Sequence, residues 1–135
     1  MRTELVPQLS VRRGYDAIEF YERAFGAVVE YRVGGRDPGE PVVAQLSVAG
    51  ATFWVADESP EHANFSPQAL GGGTVRLLLI VDDPRAAVER ALQAGAREVR
   101  AVAEEHHWLL GRIEDPYGHH WEIGRPLVAW PPERG

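Results

Sequence analysis

The chain has 135 residues, 44% of them apolar, with a formal net charge of −6, enough for one domain that buries about two thirds of the surface its unfolded chain exposes. The acidic balance and the lack of a basic stripe argue against nucleic acid and anionic membrane surfaces as partners, and the longest apolar run, residues 77–81, is far too short to span a membrane. All 14 basic side chains are arginine and there is no cysteine, which excludes Schiff-base chemistry, disulfides, thiolate metal sites and thiol nucleophiles.

In chain order, residues 5–11 alternate Leu5, Pro7, Leu9 and Val11 against Val6, Gln8 and Ser10, the pattern of a half-buried strand. Arg12-Arg13-Gly14 turns the chain. Ala17, Ile18, Tyr21, Ala24 and Phe25 recur at helical spacing over residues 16–25, and Gly26 sits where a helix-ending glycine belongs. Residues 28–33, 42–48 and 52–56 read as strands, the last two joined at Ala49-Gly50. The order is βαβββ.

Residues 57–73 are polar, carry Pro60 and Pro67 and end in three glycines, which predicts a connector with a flexible end. The pattern then repeats. Residues 75–81 are a strand; Asp83 caps a helix with Pro84 at its first position and Ala87, Val88, Ala91 and Leu92 as the buried stripe, closed by Gly95. Residues 98–102, 107–113 and 119–124 complete three more strands. The Asp57-Glu58 and Glu104-Glu105 pairs are expected to be solvated.

The halves superimpose by their punctuation: Val11 falls on Val81, Gly26 on Gly95 and Gly50 on Gly118, at offsets of 70, 69 and 68. So steady an offset marks an internal repeat. The expected organisation is one α+β domain over residues 1–135, with module one at about 4–57, a connector at 58–73, module two at about 74–124 and a C-terminal arm at 125–135, where Trp130 covers a local apolar patch.

The last repeat strand is led by Asp115-Pro116-Tyr117-Gly118, a tight reversal because proline pre-sets one turn dihedral and glycine accepts a positive φ. In the strand that follows, His120 and Glu122 share one face, and His119, Trp121 and Ile123 the other. The second set is expected in the core.

The paired βαβββ order, the first helix Ala17-Ile18-Glu19-Phe20-Tyr21-Glu22-Arg23-Ala24-Phe25-Gly26-Ala27, the opening Val81-Asp82-Asp83-Pro84 and the Asp115-Pro116-x-Gly118 lead together resemble the glyoxalase/bleomycin-resistance/extradiol-dioxygenase superfamily, or vicinal oxygen chelate superfamily. The wording of the helix and strand lead is most similar to its small single-domain members labelled as similar to demethylubiquinone methyltransferases. The resemblance covers about residues 5–124. It implies two curled mixed sheets with helices outside, enclosing a cavity that dimerisation often completes.

Metal-using members place ligands on the first and fourth strands of each module. Carried over, those positions are Val6, Trp54, Arg76 and Glu122, of which only Glu122 could ligate. The resemblance therefore implies a dismantled metal site with no cofactor, Arg76 facing Glu122, and a pocket walled by Trp54, Arg76, Trp108, His120 and Glu122. A homodimer binding an amphipathic or aromatic small molecule is expected, for instance sequestering an antibiotic or similar hydrophobic-cationic compound. Two rivals remain open: a metal-dependent lyase, isomerase or dioxygenase, with His120 and Glu122 joined by His106 or His107, and a metal-free enzyme using His120 or Glu122 as acid or base. A structural role for His120, at the rim of the cavity with His106-His107 in a mobile loop, and a purely structural Arg76–Glu122 pair are the plainer possibilities. The N-terminus lacks an apolar signal core with a cleavage site, making the cytoplasm the expected location.

Overall fold

In the computed structural model, which describes residues 1–133, strand, helix and three strands follow one another twice. Module one is β1 (Gln8–Val11), α1 (Gly14–Phe25), β2 (Val28–Gly34), β3 (Val42–Val48) and β4 (Ala51–Asp57); a short helix α2 (Pro67–Leu70) precedes module two, β5 (Arg76–Ile80), α3 (Pro84–Gln93), β6 (Arg97–Glu105), β7 (Trp108–Glu114) and β8 (His120–Pro126). The strands form two open four-stranded sheets, ordered β1-β4-β3-β2 and β5-β8-β7-β6, called here sheet one and sheet two. The first and fourth strands of each module run parallel and the rest antiparallel. Gln8 pairs with Trp54 and Leu78 with Glu122, so the sheet registers reproduce the offsets of 70 and 68 between the halves.

Local chemistry explains the element ends. Helix α1 begins at Gly14 with no cap from its own flank; its N–H is instead accepted by Asp57 Oδ1 at 3.0 Å from the end of β4, while Oδ2 takes the N–H of Val42 at 2.7 Å. A Cβ on Gly14 would lie 2.6 Å from Asp57 Oδ2 and from Val42, which is why glycine opens this helix. Gly26 ends it in the left-handed region, and Arg90 of α3 donates to the carbonyl of Arg23 at 2.8 Å, a cation placed at a helix C-terminus. Helix α3 starts as its sequence predicts, with Asp83 accepting from Ala86 N–H at 3.1 Å and Pro84 in the first turn.

Several expectations are corrected. The first strand starts at Gln8 rather than residue 5, because Pro7 has no N–H for the ladder; its carbonyl still accepts from Trp54 N–H at 2.9 Å. Within the connector, ahead of its three glycines, Ser66 is fully buried, caps α2 and donates to Glu58 Oε1 at 2.6 Å. Asp57 and Glu58 are thus structural acceptors, not solvated charges. His106 and His107 are the two central residues of a tight hairpin turn, at φ 50° and 66°, rather than part of a longer loop. The last strand extends to Pro126, and Trp130 beyond it packs edge-on against Trp108, with ring centres 5.5 Å apart.

One core serves both modules. Tyr21 and Phe25 of α1 and Phe53 of β4 surround Trp121 of β8, with centroids 5.7, 4.7 and 5.4 Å from it. Val88, Ala91, Ile113 and Ile123 bury with them from module two, whereas Ala87 and Leu92 remain half-buried. The helix-bearing faces of the sheets therefore meet inside, and the opposite faces look outward. No helix of the described residues is long and apolar enough to cross a membrane.

Candidate functional site

The outward face of each sheet follows from strand alternation and register. On sheet one the pairs Gln8–Trp54, Gln45–Trp54, Tyr31–Gln45 and Val33–Val43 share that face. On sheet two it carries Arg76, Leu78 and Ile80 of β5, His120 and Glu122 of β8, Trp108, Leu110, Arg112 and Glu114 of β7, and Arg97, Arg100 and Glu105 of β6.

A charged network crosses sheet two. Arg76 Nε donates to Glu122 Oε1 at 2.6 Å, Arg97 Nη2 to Glu114 Oε1 at 2.9 Å, and Arg100 Nη1 to Glu105 Oε2 at 3.3 Å. Arg112 Nε donates to His120 Nδ1 at 3.1 Å, so His120 carries its proton on Nε2, which meets Glu114 Oε1 at 3.1 Å. The hydrogen bond and charge of Arg97, with His120 beside it, hold the Glu114 carboxyl below the usual carboxylate range.

Two cavities open on this network. A cavity of about 590 Å³ lies between β1, the connector and sheet two, with Ser10, Phe65, Leu70, Arg76, Arg112 and His120 in its wall. A second, of about 350 Å³, is walled by Leu78, Arg100, Glu105, Trp108, Leu110 and Glu122. The structure thus brings Arg76 and His120 to the larger cavity and Trp108 and Glu122 to the smaller, with the Arg76–Glu122 bond between them. Trp54 stands apart on sheet one, its ring against Tyr31 at 6.0 Å. Its side chain points outward as its predicted register requires, yet within one chain it does not meet the other four.

Of the larger cavity, sequence reasoning found only Arg76 and His120; among the residues it missed, two carry polar chemistry on sheet two or its lead, Arg112 and His119. Arg112 could have been found, since it lies at even spacing from Trp108 on a predicted strand. His119, expected in the core, is only half-buried: it precedes the strand, shares a hydrogen bond with the Ser10 carbonyl at 2.9 Å and lines the cavity.

The positions that the resemblance assigns to a metal do not suit one. Val6 has no donor atom, Trp54 offers only an N–H, and the Arg76 guanidinium lies on Glu122, the one carboxylate of the set. Among the described residues no group of three or more His, Asp or Glu side chains is placed to hold a metal ion, His106 and His107 included.

Two βαβββ modules forming two open mixed sheets, with first strand parallel to fourth and helices on one face, define a member of the vicinal oxygen chelate superfamily. The family model of the glyoxalase-like domain matches residues 9–124, and the chain belongs to that family. An uncharacterized protein of Mycobacterium bovis is 40% identical over 128 residues, covering 91% of this chain and 83% of that protein. The X-ray structure of an Arabidopsis thaliana gene product superimposes with a TM-score of 0.72 at 32% identity, covering 93% of this chain and all of that one. The fosfomycin resistance protein FosX of Listeria monocytogenes, crystallised with Mn(II) and sulfate, shares the fold at a TM-score of 0.67 and 15% identity, covering 93% of each chain.

Proposed function

We propose that this protein binds an amphipathic or aromatic small molecule without a metal, in a pocket that a second copy of the chain completes. The observation that carries the reading is the Arg76–Glu122 contact at 2.6 Å. A permanent cation occupies a position where metal-using relatives would need a donor, and it engages the one carboxylate that could ligate. Trp108 supplies an aromatic wall to the smaller cavity, Trp54 presents a ring on sheet one for a second copy to use, and each cavity mixes apolar surface with a few fixed polar groups, as small-molecule sites do. Antibiotic sequestration is one form such binding would take.

Metal-free acid–base catalysis is the second reading, supported by the Glu114–His120 contact that fixes one tautomer. Binding is the better supported, because both ring nitrogens of His120 are already engaged within the sheet and Glu122 is neutralised by Arg76. The test is metal analysis of protein purified without a histidine tag or chelator, then tryptophan fluorescence during titration with Zn²⁺, Ni²⁺, Fe²⁺ and Mn²⁺. No bound metal and an unchanged spectrum are expected. About one tightly held equivalent per chain would overturn the reading and make His120 and Glu122 the first ligands to test.

A further inference from the structure

The outward face of sheet two has an unbalanced charge count. It carries four arginines, Arg76, Arg97, Arg100 and Arg112, and three glutamates, Glu105, Glu114 and Glu122. Each glutamate closes on one arginine: Glu122 on Arg76, Glu114 on Arg97 and Glu105 on Arg100. Arg112 is left over. Glu122 stands beside it in the strand register, but among the described residues no carboxylate lies within ion-pair distance of its guanidinium. Its Nε donates to His120 Nδ1, a neutral acceptor that leaves the charge uncompensated, and among the described residues the two terminal nitrogens have no hydrogen-bond partner.

Arg112 is half-buried and opens on the cavity of about 590 Å³. That wall also holds Arg76 and His120 and contains no Asp or Glu, in a chain whose net charge is −6. Phe65 and Leu70 supply apolar surface. A half-buried guanidinium has lost part of its hydration, and an oxyanion gripped by two parallel N–H donors restores the balance. A cationic ligand would meet the excess positive charge instead. We propose that this cavity takes an organic oxyanion, a carboxylate or similar group on an apolar body, with Arg112 as its anchor. The inference rests on the small-molecule reading and specifies the sign of its ligand.

Three probes with one naphthalene body separate the possibilities: naphthoate, naphthamide and naphthylmethylammonium, titrated calorimetrically into the full chain. Naphthoate is expected to bind about tenfold tighter than naphthamide, the scale of a charge-assisted contact. Arg112→Gln should abolish that advantage, weakening naphthoate about tenfold more than naphthamide, while Arg112→Lys keeps part of it. Leu70→Glu places a carboxylate on the wall at an exposed position, so its folding is not in question. It should weaken naphthoate about tenfold and favour the ammonium probe. Equal or tighter binding of the amide or ammonium, or naphthoate affinity untouched by both Arg112→Gln and Leu70→Glu, overturns the anion site while small-molecule binding stands. Silence from all three probes also overturns the anion site; the broader reading falls only if a wider ligand screen is silent too.

Discussion

At the scale of single residues, Asp115 connects the halves. It is buried, and its oxygens accept from the Tyr21 hydroxyl at 2.5 Å, Trp121 Nε1 at 3.0 Å and the backbone N–H groups of Tyr117 and His119 at 2.9 and 3.0 Å. Tyr21 belongs to module one and the other donors to module two, so one carboxylate ties both modules across the shared core. Burial, reinforced by the adjacent Asp115, drives the Tyr21 hydroxyl well above its ordinary range, and burial raises Tyr117 to about 12. Asp115→Ala would strand four donors, three of them buried, and is expected to cost on the order of 3–5 kcal/mol, read from urea unfolding. Tyr21→Phe removes one charge-assisted bond and should cost about 1.5–3 kcal/mol. A loss below about 1 kcal/mol in the alanine variant would mean that the clamp does not hold the modules. The sequence marks Asp115 as the head of a turn but cannot supply its main partner, because Tyr21 lies 94 residues away and no local pattern encodes such a contact.

At the scale of elements, what was legible in the sequence is what neighbouring residues determine. Asp83-Pro84 opens α3 and Gly26 closes α1 because caps act within a turn of their own position. The short helix within the connector was not legible because its order comes from a contact across it: Ser66 reaches back to Glu58, which Arg12 also approaches at 3.4 Å. The hydrogen bond from the Ser66 hydroxyl, aided by its backbone N–H and by Arg12, holds the Glu58 carboxyl below its ordinary range. The folded-state value being depressed, the contribution of this carboxylate is present above the unfolded value and is lost as pH falls through the folded one. Amide exchange over residues 66–70 should therefore quicken selectively as pH drops below about 4, once the intrinsic pH dependence of exchange is subtracted. Ser66→Ala should show the same loosening at neutral pH. Protection unchanged in both conditions would show that the docking of α2 does not depend on this bond.

At the scale of the whole molecule, alternation told which residues share a face but not what that face meets. Trp54, Arg76, Trp108, His120 and Glu122 all point outward, yet Trp54 is separated from the rest because the modules join through their helix-bearing faces. Those outward faces leave Tyr31 and Val33 on sheet one 55% and 54% exposed, and Leu78 and Ile80 on sheet two 51% and 55% exposed. Ordered apolar rows of this kind on both sheets are uncommon on a monomer and suit a second copy that lays its sheet one over this sheet two. The arrangement would also carry a partner's Trp54 toward Arg76 and Glu122, uniting the predicted wall. Sedimentation is expected to give a homodimer, and Leu78→Glu or Ile80→Glu should weaken it at least tenfold, on the order of 1.4 kcal/mol, with the circular dichroism spectrum retained. The fold should survive because both side chains point away from the helices and are half exposed within one chain. If the unaltered protein sediments as a monomer at every concentration, the pocket must be complete in one copy, and Trp54 belongs to a different surface from Arg76 and Glu122.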